Sequence, residues 1–456
     1  MGRTEVITMS DMSNHDLDQL CINTIRVLSI DMSGKARSRH PALPLGAAPM
    51  AYALWDRFLR HNARNPRWFN RDRFVLSAGH GCELLYSLLH LAGYNLTLDD
   101  LKNFRHSGSK TPGHPEYDLD LGVDALRGPP GQGFAMAVGM ALAEAHLGSH
   151  FNRDEFPVID HFTYVLASDG DLMEGISSEA ASLAGTLRLG KLICLYDNNH
   201  VLLDAPTDRV FTDNVCERFR AFGWHVVSLP DGNDLDAIDL AIREARAENK
   251  RPSLIAIRTH IGYGSSLDDS PKIHGEAMGP ENARATKHNL GWPDLPPFSV
   301  PDEALIHFRN AGQRGAVLET EWTRMFERYS HKYPDLSDRL EKAMHGVFPK
   351  DWDSALPSFS SDEGLVATHD ASGKAMNAIA AKFPGFIDVS ADLAGSNRTT
   401  LQGLGDLSFA DNRGRNIHFR VREHLMAALV NGITLHGGLV PFGGTANRPT
   451  QPEPAS

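Results

Sequence analysis

The segment TYVLASDGDLMEG (163–175), followed after a helical stretch by GKLICLYDNNHV (190–201), decides the fold. Its two short apolar runs, rich in Tyr, Val, Leu and Ile, read as buried strands of a parallel sheet. The first ends in Ser168-Asp169-Gly170 and the second in Tyr196-Asp197-Asn198-Asn199. Ligands of such sheets sit at the carboxyl ends of the strands, where an Asp beside a Gly is placed to hold a metal. Mg²⁺ takes hard oxygen ligands and shares them with phosphates. Asp169 offers a carboxylate, Asn199 an amide oxygen and Val201 a backbone carbonyl.

The same alternation extends outward. Helices are expected over 14–33 (with Asn14 as its cap), 213–222 and 235–249, and strands over 224–229 and 253–260. RDRFVLSAGHGCELLYSLLHL (71–91) reads as a short strand, a Gly-bracketed His80 and a helix. Alternating strands and helices argue an α/β fold with a doubly wound parallel sheet. A loop-rich stretch at 280–301 and helices over 302–346 lead to a Pro- and Ser-containing boundary at 348–361. A second α/β unit then starts near 362: a helix over 364–382, a strand over 386–390, a loop ADLAGSN (391–397), a strand over 417–420 and a helix over 421–438. Four segments are therefore expected, 1–300, a helical linker 301–361, a partial second domain 362–445 and a Pro-rich tail 446–456.

The 456 residues allow two or three domains, and the formal net charge of −12 argues against a nucleic-acid partner. Four scattered cysteines (Cys21, Cys82, Cys194, Cys216) form no CxxC pair, which suits a reducing compartment. Gly2 is not followed by Ser or Thr at position six, so myristoylation is not expected. No apolar run reaches membrane-spanning length. A soluble, cytoplasmic protein with no membrane partner is the expectation.

Further motifs follow in order: SRHPALPLG (38–46), DRFVLSAGHG (72–81), KTPGHPE (110–116), RGPPGQG (127–133), THIGYGSS (259–266) and IHGEAMG (273–279). His40, His80, His114 and His274 each lie beside Gly or Pro in loops, which suits a polar cavity. Imidazole can donate or accept a proton near neutrality. The glycines of RGPPGQG open a helix and let backbone N–H groups approach an anion or ring.

This order of motifs resembles that of the transketolases, over roughly residues 14–444. The resemblance implies thiamine diphosphate as cofactor, held through Mg²⁺ or another divalent cation such as Ca²⁺ or Mn²⁺ on Asp169, Asn199 and Val201. It assigns cofactor contacts to His80, Gly128, Pro130, Gly170, Asp169, Asn199, Glu174, His274 and Glu423. His40, His114 and His274 would bind the sugar hydroxyls and handle protons. Glu174 and Glu179 start the helix after the metal motif, where carboxylates favour the dipole. The family residue matching Glu174 links the two active sites of a dimer. Glu423, in VREHLMAALVNGITLHGG (421–438), matches the Glu that bonds N1′ of the aminopyrimidine and favours the imino tautomer whose N4′ deprotonates C2. The activity implied is transfer of a two-carbon ketol unit from a ketose phosphate to an aldose phosphate, in the pentose phosphate pathway, by a homodimer.

The pattern departs from the family's at several places, among them Ser168 for Gly and Arg127 for Thr. Pro130 stands where the family has Leu, and it removes a backbone donor. His369, in VATHDASG (366–373), stands where the family has a phosphate-binding Arg, and imidazole fits phosphate less well than a guanidinium. Ser396 matches a family phosphate ligand. After GLVPFGGT (438–445) the family continues, whereas this chain ends in ANRPTQPEPAS. The leading expectation is a transketolase-type enzyme, intact or truncated; a frameshifted or split product completed by a separate chain carrying the C-terminal half is a variant of it, and a catalytically inactive, cofactor-binding remnant is the alternative.

Overall fold

The computed structural model describes residues 12–38, 40–125, 129–360, 362 and 364–445. The chain divides into two compact units, one of 1–137 with 160–327 and the other of 138–159 with 328–456. Among the described residues, no helix is long and apolar enough to cross a membrane.

Among the described residues, the first unit is built on five strands: β1 (Arg73–Leu76), β2 (Thr163–Ser168), β3 (Leu192–Asn198), β4 (His225–Leu229) and β5 (Ser253–Arg258). All pair in parallel, in the order β1-β2-β3-β5-β4. One rung reads Leu76, Leu166, Leu195, Ile255 and Val227 across the whole sheet. β2 is buried along its full length and β3 all but its last residue. That is why both read as continuous apolar runs rather than alternating ones: helices cover both faces of a parallel sheet. Cys194 lies in that core.

The helix expected over 14–33 spans Asn14–Ala36 and is capped by Ser13, not Asn14. Ser13 and Asp16 form a reciprocal capping box, with Asp16 N donating to Ser13 Oγ at 3.2 Å. Such a pair satisfies two otherwise orphaned donors, which a lone Asn14 cannot do. The helix Cys82–Ala92 packs in the same unit and carries Glu83, fully buried. Glu83 Oε1 accepts from Ser33 Oγ at 2.8 Å and Ser38 Oγ at 3.4 Å, yet burial pushes its carboxyl up to about 7. An unfolded chain releases that proton near its ordinary value of 4.5. The folded state therefore binds more protons between pH 4.5 and 7, and stability falls as pH rises through that window. Glu83→Gln is expected to flatten this dependence and to stabilise the protein by about 1–2 kcal/mol at pH 8, part of the gain being lost to the buried amide. Denaturant melts at pH 5 and pH 8 measure it; an unchanged difference between the two pH values would count against the assignment.

The second unit carries a three-stranded sheet, β6 (Phe386–Ser390), β7 (Asn416–His418) and β8 (Val440–Gly444), parallel throughout in the order β7-β6-β8. The helix expected over 364–382 starts only at Thr368, because Gly364 has φ +81° and cannot lie in a right-handed helix. The strand expected over 417–420 spans 416–418, and Arg420, at φ 57°, turns away from it. The loop ADLAGSN holds a short helix, Ala394–Asn397. Buried Arg415 donates to the carbonyls of Ala380, Phe383 and Phe386, closing the end of the helix Thr368–Lys382 onto β6. The helix Gln132–Phe151 meets Glu423–His436 closely at Gly139, where a Cβ would lie 2.6 Å from the Leu429 carbonyl oxygen.

Candidate active site

Register brings Ser168 of β2 opposite Asp197 of β3 and places Asp169, Asn199 and Thr259 just beyond the carboxyl ends of three adjacent strands. Asp169 is buried. Its Oδ1 accepts from Tyr196 Oη at 2.5 Å, and its Oδ2 accepts from the backbone N–H of Asn199 at 3.0 Å and of His200 at 2.9 Å. Desolvation nevertheless holds its carboxyl above the ordinary range, outweighing those hydrogen bonds. A cation would remove that penalty.

The chain wraps around Asp169 because His200 adopts φ 64°, an uncommon conformation for a residue with a Cβ. Asn199 Nδ2 donates to Asp197 Oδ2 at 2.8 Å, and its Oδ1 accepts from Val201 N at 2.9 Å. An amide oxygen has two lone pairs, so one remains. A carboxylate, an amide oxygen and the Val201 carbonyl are a hard-oxygen set, which fits Mg²⁺. Asp197 is fully buried, accepts also from Thr259 Oγ1, and is pushed by burial up to about 7.

A residue absent from the sequence reading ties the site together. Asp171 Oδ1 accepts from Ser77 Oγ at 2.7 Å and Gly131 N at 3.0 Å, and its Oδ2 accepts from Ser168 N at 3.0 Å and Ser168 Oγ at 3.1 Å. Ser77 Oγ in turn accepts from Phe134 N at 3.1 Å. One carboxylate thus joins the ends of β1 and β2 to the Gly-rich loop. The spacing Ser168-x-x-Asp171 is the signal that could have found it, being the signature of a helix cap. A Cβ on Gly133 would lie 2.7 Å from Ser77 Cα, and Gly131 has φ +79°. The loop therefore needs glycine at both positions to come this close to the strand ends. Gly170 lies half-buried between Asp169 and Asp171, and half-buried Pro130 precedes Gly131. Gly128 lies outside the described residues.

Three of the four sequence-selected histidines form one cluster. The rings of His40 and His80 are 5.7 Å apart, those of His40 and His274 6.3 Å, and those of His80 and His274 5.1 Å and stacked. His40 Nδ1 lies 3.0 Å from the His274 carbonyl oxygen, which can only accept, so that nitrogen carries the proton. Burial and the neighbouring His40 hold His274 down to about 4, so it is neutral at pH 7. His274 Nδ1 is buried with no hydrogen-bond partner among the described residues, as expected of a group that meets a ligand. His114 lies exposed in the 111–118 loop.

Glu174 does not start a helix turn as expected. The helix begins at Gly175, so Glu174 is its cap residue, exposed and without a capping hydrogen bond, and Glu179 lies beyond the first turn. In the second unit Glu423 is the first residue of its helix and is exposed. His369 and Ser396 are also exposed; His369 Nε2 lies 3.7 Å from Asp370, whose carboxylate is shared with Arg398 at 3.0 Å.

Comparison with known proteins matches these elements. Residues 17–349 match the family model described as transketolase, thiamine diphosphate binding domain, and residues 365–447 match transketolase, pyrimidine binding domain. The transketolase of Halalkalibacterium halodurans is 51% identical over 435 residues, 95% of this chain and 65% of that protein. That of Bacillus subtilis is 51% identical over 431 residues, 94% of this chain and 64% of that protein. The chain thus spans about 65% of the length of the curated relatives it matches. A Pichia stipitis transketolase structure in complex with sedoheptulose-7-phosphate superposes with a TM-score of 0.92 at 41% identity, covering 94% of this chain and 64% of that one. Leishmania mexicana transketolase gives 0.91 at 41% identity, with the same coverage. With strand ends, Gly-rich loop and histidine cluster all falling inside the matched regions, the chain belongs to the transketolase family.

Proposed function

We propose that the protein takes part in transfer of a two-carbon ketol unit from a ketose phosphate to an aldose phosphate, with thiamine diphosphate and a divalent cation. The observation that carries this reading is the buried, donor-wrapped Asp169 at the strand ends beside a glycine loop, in a chain half identical to transketolases. Asp169, Asn199 and the Val201 carbonyl would hold Mg²⁺, or Ca²⁺ or Mn²⁺ in its place. Gly170, the loop Gly128–Pro130 and Glu174 would line the diphosphate end, with His80 and His274 toward the thiazolium. When bound, the cofactor would supply the nucleophilic carbon that ketol transfer needs.

The chain's own residues orient and move protons. His40 would accept a hydrogen bond from a sugar hydroxyl. Neutral His274 would take a hydroxyl proton without first losing one of its own. His114, on its exposed loop, would meet the sugar chain. Glu423 would hold a proton at N1′ of the aminopyrimidine, contributed to a partner's site in a homodimer. Ser396 and His369 would receive the substrate phosphate, His369 more weakly than an arginine because imidazole lacks the planar fork that gives a guanidinium two parallel hydrogen bonds. In this reading 1–300 is the diphosphate-binding domain, 301–361 a helical linker and 362–445 part of a pyrimidine-binding domain, in a cytoplasmic protein.

Calorimetric titration of the chain with thiamine diphosphate tests the reading. Binding is expected with Mg²⁺ present and is expected to be lost on adding a chelator. Equal binding in both conditions would overturn the cation's part in it, and no binding in either would overturn the whole.

A further inference from the structure

The second unit encloses a cavity of about 430 Å³ that none of the roles above uses. Its walls are the end of the helix Gln132–Phe151, the helix Pro334–Met344, the stretch 347–350, and the loops that open β6 and β8. Leu147, Phe151, Phe383 and Leu439 make its apolar wall. A side chain at Gly438 would meet Leu147 Cδ1 at 2.9 Å, and the residue has φ +84°, so a glycine keeps this wall open.

Four cations, Arg339, Lys342, Lys350 and Lys382, stand around it with a single acid, Asp338. Lys342 is paired with Asp338 at 2.6 Å and Lys382 with Asp351 at 3.4 Å. Arg339 and Lys350 have no ion pair among the described residues; the Arg339 guanidinium lies 5.9 Å from the centre of the Phe151 ring. His146 and His150 also line the cavity but add no charge. Their N–H groups face the carbonyls of Asn412 at 2.8 Å and Arg413 at 3.3 Å, and burial holds both below their ordinary range.

We propose that this cavity binds a small amphipathic anion, an aromatic or branched apolar body bearing one carboxylate, phosphate or sulfonate. The volume lies within the range of small-molecule sites, roughly 300–1,000 Å³. The apolar wall takes the body, and the unpaired guanidinium and ammonium take the head group, the former through two parallel hydrogen bonds. The proposal goes beyond ketol transfer and does not rest on it.

The test uses the whole chain and the dye 1-anilinonaphthalene-8-sulfonate, followed by fluorescence and calorimetry. One dye per chain is expected, bound about tenfold or more tighter than neutral 1-anilinonaphthalene. Arg339→Glu with Lys350→Glu, both exposed positions, should weaken the sulfonate about tenfold while the neutral compound binds as before, which also shows that the pocket still folds. Ala343→Trp should fill the cavity and abolish binding of both. Displacement of the dye by phenyl phosphate or by benzoate supports the site and tells which head group it takes. Equal affinity for charged and neutral dyes, dye binding retained in Ala343→Trp, or displacement by neither anion overturns the proposal.

Discussion

Asp169→Asn is expected to weaken Mg²⁺-dependent binding of thiamine diphosphate about 100-fold or more, a loss of about 2.7 kcal/mol, while leaving the fold intact. The carboxylate is buried, and both of its oxygens are already occupied by donors, Tyr196 Oη on one side and two backbone N–H groups on the other. An asparagine reproduces that pattern. Its oxygen can face Asn199 N and His200 N, and its NH₂ can face Tyr196 Oη, which turns from donor to acceptor. What disappears is the negative charge, whose burial already disfavours ionisation in the absence of a cation. The substituted protein without cation should therefore melt no lower than the parent. Asp169→Ala is less informative for affinity, because it strands three donors at about 1–3 kcal/mol each and mixes lost binding with lost stability. Calorimetry in Mg²⁺ with a thermal melt of each protein separates the two effects. Unchanged cofactor affinity in Asp169→Asn would remove this residue from the metal site.

Asp124→Ala is expected to destabilise the first unit by about 3–5 kcal/mol, the cost of leaving a buried charge unpaired. Arg71 Nη2 lies 2.5 Å from Asp124 Oδ1, and Nη1 lies 3.1 Å from Oδ2, with side-chain exposures of 5% and 4%. Asp124 Oδ2 accepts in addition from Phe74 N at 2.9 Å, at the start of β1. Buried Arg73 is close enough for the two guanidinium groups to repel each other; burial and Arg71 hold Arg73 down to about 9. Without the aspartate, two cations would face each other in a dry environment. The damage should reach the site, since β1 runs directly into Ser77 and His80. Pairing the change with Arg71→Leu removes the orphaned charge, so the double variant should be more stable than Asp124→Ala alone. Denaturant melts of the two singles and the double measure this. A loss below about 1 kcal/mol for Asp124→Ala would place the pair among those of marginal worth.

Much of this protein was legible before any coordinates. Continuous apolar runs at 163–168 and 192–197 read as strands covered on both faces, and the sheet is parallel throughout. His40, His80 and His274 were selected for their Gly and Pro neighbours, and they meet in one cluster although more than 230 positions separate the first from the last. Helix ends were less legible. Ser13 displaced Asn14 as a cap, and Thr368 rather than Gly364 began a helix, because reciprocal hydrogen bonds and positive φ angles outweigh local propensity. Asp171, Asp197 and Thr259 carry no role in the sequence pattern for a different reason. Each is one polar residue at the edge of an apolar run, and its importance lies in which strand end it faces.

By itself, then, the order of amino acids determined the strands, the family resemblance and the residue types able to hold a cation, since hydrophobic period and turn chemistry are local properties of a chain. Only the tertiary structure decided the register that sets Asp169 against Asn199 and His200, the neutral state of His274 and the elevated carboxyls of Glu83 and Asp197. These depend on burial and on partners distant in sequence, because desolvation and hydrogen bonding act through space.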